Sequence, residues 1–185
     1  MILLNGQDDG TNPASNLDGQ PLYQNEMQVE GHSWYIQQNY EHRDATFEEI
    51  LHLVHDYGIG VDGNGTFMGA APNFQAEIRA AQQTAVSNKL WPVGDQFADW
   101  LVEITQENSL SQEYLASVID AYYGLWGAWT ESATHSMWGG YVAKGRSDIP
   151  TNDVQGQTLL DNKFFHPYLT YNARIDESFE GTFSL

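Results

Sequence analysis

The chain reads as mainly α (α+β): a helical domain with an N-terminal hairpin or arm and an extended C-terminal segment. Three observations predict this. Apolar residues recur at helical spacing in four stretches between positions 46 and 129. Capping residues, Gly or Pro bound those stretches. Short runs that could be strands occur only outside them. At 185 residues the chain fits one domain, and 41% hydrophobic and 13% aromatic residues supply a core.

Residues 1–26, with NGQDDGTNPASNLDGQPLYQNE, are rich in Asn, Asp, Gly and Gln. That composition buries too little apolar surface to offset ordering, so a surface loop or arm is expected. A single domain is expected over 27–185. MQVEGHSWYIQQ at 27–38 has two short runs around Gly31-His32 and predicts a small hairpin.

The first helix begins at Thr46. Thr46 and Glu49 have capping-box spacing. Phe47, Ile50, Leu51, Val54 and Tyr57 form an apolar stripe expected to face the core, and Gly58 is expected to close the element. A second helix is expected from Asn73, with Phe74, Ile78 and Ala81 inward, ending before Trp91-Pro92. A third starts near Asp95, an N-cap type, and uses Phe97, Leu101 and Ile104. The fourth begins near Ser109 or Ser111 and runs through YLASVIDAYYGLWGAW. It is apolar nearly all round and should be central. Residues 139–153 are turn-rich. A last short helix is expected from Leu159 to Phe165, stopped at His166-Pro167. The remainder reads as an extended segment.

The composition restricts function. Seven basic against 25 acidic residues give a net charge of −18, which disfavours nucleic acid and anionic membrane surfaces as partners. The charge suits cation binding, basic partners or solubility in salt. No apolar run reaches the roughly 20 residues needed to span a bilayer. Met1-Ile2-Leu3-Leu4 is too short, and lacks the basic flank, to read as a signal peptide. There is no cysteine, so a transition metal would be held by His and carboxylate.

The first helix carries the best candidate site. At about 100° per residue, Glu48, His52 and His55 fall near 100°, 140° and 80° from Phe47, a narrow stripe beside the apolar one. A Glu and a His four apart lie one turn above the other and can reach one ion, zinc or another divalent cation. An ordinary i,i+4 pair on a wet face is the competing account of Glu48 and His52. Asp120 is a lone carboxylate in a strongly apolar helix. Burying it demands a cation or hydrogen-bond donors, a buried Tyr or His among them. Glu113, two turns earlier, ranks behind it because it lies near the helix start.

TFEEILHLVHDYGI resembles the active helix of zincin metallopeptidases, with Glu48 where the first His of the His-Glu-x-x-His motif stands. RDATFEEILHLVHDYGI is also similar to a stretch of bacterial proteins, often secreted, that share the zincin-like pattern. The likeness covers some fifteen residues. It implies a zincin-like core, Glu48 and His52 as ligands, and Glu49 as general base. In the gluzincin type it implies a third acidic ligand on a later helix, for which Asp120 is the choice. The activity implied is metal-dependent hydrolysis, peptidase-like, and the placement extracellular or periplasmic. Tyr122, Tyr123 or His135 could serve the oxyanion. The alternative is a non-catalytic extracellular domain that binds a peptide or protein partner, or is structural.

DGNGT at 62–66 places Asp62, Asn64 and Thr66 like the start of a calcium loop, without the later Gly and Glu. Asp8 and Asp9 form a second acidic loop where calcium is possible. His32 and His42 flank the hairpin and could complete a metal site in space.

Overall fold

Four apolar-periodic stretches of the sequence become helices, and two pieces of the N-terminal stretch become strands. The computed structural model describes residues 2–4, 11–13, 17, 19–27, 45–61, 65–127 and 129–163. The expected hairpin over 27–38 falls outside them, apart from residue 27, as does the extended segment at the C-terminus.

Strand β1 (Ile2–Leu4) pairs in parallel with β2 (Pro21–Tyr23), Leu3 opposite Leu22. Leu22 and Tyr23 are buried, so this end of the stretch read as a surface arm packs on the helices. After β2 the chain makes a 3-10 turn at Gln24–Glu26. There the Ala45 N–H donates to the Glu26 carbonyl at 2.9 Å and fixes the entry to the first helix.

That helix, α1, spans Thr46–Val54 and continues as a π turn over His55–Ile59. Ala45 occupies the N-cap with helical dihedrals, and no side chain caps the end, so the expected Thr46–Glu49 box does not form. The element closes at Gly60 rather than Gly58. The Gly60 N–H reaches back to the His55 carbonyl at 2.7 Å, and its φ of 92° favours glycine.

The orientation of α1 departs from the expected one, although Leu51 packs against the core as expected. Phe47, Ile50, Val54 and Tyr57 are between 43% and 56% exposed, while His52 is buried. The physical reason lies in the neighbour. α1 packs on the central helix, and its Glu48–His52 face meets that helix's Glu113–Asp120 face around a shared pocket, where polar groups escape burial in the apolar core.

Helix α2 (Pro72–Ser87) opens with Pro at N1, where a missing N–H costs nothing. It buries Phe74, Ile78, Ala81 and Ala85, as the periodicity predicts. A 3-10 turn at Asp95–Phe97 leads into α3 (Ala98–Gln106). Gly94 (φ 94°), not Asp95, stands before that turn.

Helix α4 (Leu110–Tyr123) is the centre of the fold, with every residue from Tyr114 to Tyr122 buried. It stops at Tyr123, short of the expected Trp129. Gly124 adopts a left-handed cap, and the Leu125 N–H bonds the Asp120 carbonyl at 2.9 Å. Helices α5 (Ile149–Asn152) and α6 (Val154–Lys163) pack against it. The last helix starts earlier than Leu159 because Asp153 caps it: Asp153 Oδ1 accepts from the Gly156 N–H at 2.9 Å.

The core joins these elements through Phe74, Ile78, Trp91, Tyr114, Leu115, Val118, Trp126, Ile149 and Leu160. The fold is mainly α, as expected.

Candidate metal centre

Two helix N-termini converge on one site. Glu48 and Glu49 lie in the first turn of α1, and Glu113 lies in the first turn of α4. Helix dipoles favour carboxylates at such ends by about 0.3–1 kcal/mol each. On α4, Glu113, Ser117 and Asp120 are spaced i, i+4, i+7, which puts them on one face. That face and the Glu48–His52 face of α1 enclose a pocket of about 530 Å³.

Glu48, His52 and Glu113 each offer one ligand atom, and the three atoms lie within 4.8 Å of one another. His52 Nε2 is 3.5 Å from Glu113 Oε1 and 4.0 Å from Glu48 Oε1. These separations exceed good hydrogen bonds. They are close to what a shared ion imposes, since bonds of about 2.1 Å set neighbouring ligand atoms roughly 3.0–3.4 Å apart. An ion held by all three would require the ligand atoms to draw together from separations of up to 4.8 Å. The donor set, one imidazole and two carboxylates, suits a divalent cation.

On the other side of the ring, Glu49 Oε2 lies 3.9 Å from His52 Nδ1 and accepts a hydrogen bond from Gln20 Nε2 at 2.5 Å. The residue beside β2 thus braces the carboxylate that faces the imidazole. Glu26 also lines the pocket, its Oε2 accepting from the Tyr23 N–H at 2.8 Å. The described lining holds five carboxylates (Glu26, Glu48, Glu49, Glu113 and Asp120) and one histidine, with no Lys or Arg.

Apart from Ser117, the remaining lining is aromatic or sulfur-bearing: Phe97, Trp100, Trp126, Met137 and Trp138. Trp91 Nε1 donates to Ser117 Oγ at 2.9 Å, and Ser117 Oγ donates to the Glu113 carbonyl at 2.8 Å. Met137 Sδ lies 3.1 Å from both Trp91 Nε1 and Ser117 Oγ, which pins its loop to α4. Met137 and Trp138 sit in left-handed conformations (φ 52° and 49°), at a cost of about 1–2 kcal/mol each. Gly140 lets Phe97 approach, because a Cβ there would meet Phe97 Cζ at 2.8 Å.

Of the residues expected to act, Glu48 and His52 come together. Asp120 is buried and lines the same pocket, but Glu113 supplies the third member of the close group. His55 is turned elsewhere. It begins the π turn, is fully buried, and pairs Nε2 with Gln75 Oε1 at 2.6 Å; Gln75 Nε2 in turn donates to Ser111 Oγ at 2.9 Å. Three residues after His52, the ring meets Gln75 of α2. Tyr122, Tyr123 and His135 do not line the pocket. Tyr122 and Tyr123 pack against Arg146, and His135 Nδ1 pairs with Thr134 Oγ1. Asp8, Asp9, His32, His42, Asp62 and Asn64 lie outside the described residues.

Sequence reasoning ranked Glu113 behind Asp120, whereas Glu113 is the one that lies close to both Glu48 and His52, and it missed Glu26, Gln20 and the aromatic wall. The i, i+4, i+7 spacing of Glu113, Ser117 and Asp120 was the available signal. No known protein family, curated protein or solved structure matches the chain.

Proposed function

We propose that Glu48, His52 and Glu113 hold a divalent cation, zinc or one of similar size, and that the pocket performs metal-dependent hydrolysis of a carbonyl substrate. One observation carries this reading: an imidazole and two carboxylates from two helices converge within 4.8 Å in a pocket roomy enough for an organic molecule. The order of ligands also follows the zincin-like pattern, with Glu48 and His52 one turn apart and the third acid on a later helix.

A bound cation in such a site supplies Lewis acidity and a water of lowered pKa. The chain's own groups do the rest. Glu49 lines the same pocket and is the carboxylate that the zincin-like pattern assigns as proton acceptor, though its Oε2 faces His52 Nδ1 and not the Nε2 side where the ion would sit. Glu26 and Asp120 add to the negative charge of the lining. Burial of His52 keeps its imidazole in one orientation.

The test is metal content. Purified full-length protein, stripped with chelator and refed, should bind one equivalent of zinc, cobalt or manganese, and Glu48→Gln, His52→Ala or Glu113→Gln should each abolish stoichiometric binding. No uptake by the parent protein would sink the proposal.

The 3.9 Å approach of Glu49 to His52 Nδ1 favours a second reading, in which Glu49 orients the ligand and the domain binds metal without catalysis. Glu49→Gln separates the two. As a general base it retains metal affinity and removes turnover of amide or ester substrates; as an orienting residue it weakens metal binding about 10–100-fold.

A further inference from the structure

The pocket is far larger than an ion needs. Water occupies roughly 30 Å³ per molecule in the liquid, so a cation with two or three waters leaves most of the cavity of about 530 Å³ for something else. The elements that do not supply ligands line it with flat apolar groups: Phe97 and Trp100 from the start of α3, and Trp126, Met137 and Trp138 from the loop after α4.

We propose that this wall is a subsite for an aryl or similarly flat apolar group of the substrate, with Trp138 as its specificity-determining residue. The inference rests on the reading of the pocket as a metal-dependent hydrolytic site.

Trp138 is distinguished from the other aromatics in three ways. Trp126 is buried, whereas Trp138 is 43% exposed and so has ring surface to offer a ligand. Its ring stands edge-on to Trp126, with centroids 4.8 Å apart and planes at 82°, and this contact fixes its orientation at the rim. Its backbone, like that of Met137, is left-handed, a conformation non-glycine residues seldom adopt without compensation. The Met137 sulfur is tied to Trp91 and Ser117, which holds the strained pair in place. Phe97 and Trp100 continue the surface, their rings 6.0 Å apart at 64°. The result is a preorganised aromatic surface beside a carboxylate–imidazole group, matched to a substrate with a polar carbonyl and a flat apolar substituent.

The test uses full-length zinc-loaded protein and calorimetric titration with two probes that share a chelating head. Acetohydroxamate has a methyl group, and benzohydroxamate has a phenyl ring. The phenyl compound should bind about tenfold more tightly, the scale of one well-packed aromatic contact. Trp138→Ala should bring the two probes to within about threefold while leaving acetohydroxamate affinity unchanged, and Trp138→Phe should restore most of the preference. Equal binding of both probes to the parent protein, or a preference that survives Trp138→Ala, overturns the subsite. Failure of acetohydroxamate to bind at all points instead at the metal reading. The aromatic surface is then read in metal-free protein with indole. Saturable binding, weakened by Trp138→Ala, supports it. The absence of saturable binding up to the solubility of indole overturns it.

Discussion

Replacing Asp153 by Ala should cost the fold several kcal/mol, because one buried carboxylate satisfies three donors. Asp153 Oδ2 accepts from the Tyr114 hydroxyl at 2.7 Å and from the Tyr141 hydroxyl at 3.1 Å, and Oδ1 accepts from the Gly156 N–H at 2.9 Å. All three side chains are buried. Burial, reinforced by the negative charge of Asp153, pushes both tyrosine hydroxyls well above their usual pKa, so they remain donors. Removing the carboxylate strands two buried hydroxyls at about 1–3 kcal/mol each and deletes a helix cap worth about 1 kcal/mol. Water entering the space recovers part of this, which leaves about 3–5 kcal/mol. For a chain of this size that is a fall in Tm of about 6–20 °C. Urea titration and calorimetry measure it. Adding Tyr114→Phe and Tyr141→Phe to Asp153→Ala removes the stranded donors, so the triple variant should be less destabilised than the sum of the single changes. A single-variant cost below about 1 kcal/mol, or strict additivity, would refute the account.

Three further outcomes follow from the site and its surroundings. At a zinc concentration 100-fold above Kd, binding should stabilise the protein by about 2.7 kcal/mol and raise Tm by about 5–11 °C, and Glu113→Gln should remove that shift in a thermal melt. Gly140→Ala forces a methyl to within 2.8 Å of Phe97 Cζ and should cost about 1–3 kcal/mol by overpacking, measured by denaturant titration. Burial raises the Asp56 carboxyl above 3.8, against the lowering effects of a Gln112 hydrogen bond and of His55. The folded state therefore holds this proton more tightly than the unfolded state. Its contribution is fully present below pH 3.8 and is lost as pH rises through the folded value. Asp56→Asn should flatten that part of the stability–pH profile, and an unchanged profile would contradict the assignment.

Much of the helical framework was legible because each helix needed only local information. Phe74, Ile78 and Ala81 recur at the period that buries one face, and they are buried. Ser109 precedes α4, as expected, but it makes no side-chain cap, and the left-handed Gly124 ends the helix before the expected Trp129. The site was half legible for the same reason. Glu48 and His52 belong to one helix, and their i,i+4 spacing alone brings them together. His55 obeyed the same arithmetic on an ideal helix, but the chain enters a π turn at that residue and its ring pairs with Gln75.

By itself, the sequence determined where the four helices between Thr46 and Tyr123 lie, though not the short helix at Ile149–Asn152, that cysteine ligation is impossible, and that Glu48 and His52 share a face. Those properties follow from residue type and from spacing shorter than two turns. Only the tertiary structure decided which face of α1 turns inward, leaving Phe47, Ile50 and Val54 outside and His52 buried. It also placed Glu113 within 4.8 Å of Glu48 and His52, with Asp120 in the same pocket, brought Gln20 to Glu49 from 29 residues away, and set Trp138 on the rim. Each of these depends on how two separately formed elements cross, and amphipathic periodicity within one helix carries no information about the chemistry of the helix that will meet it.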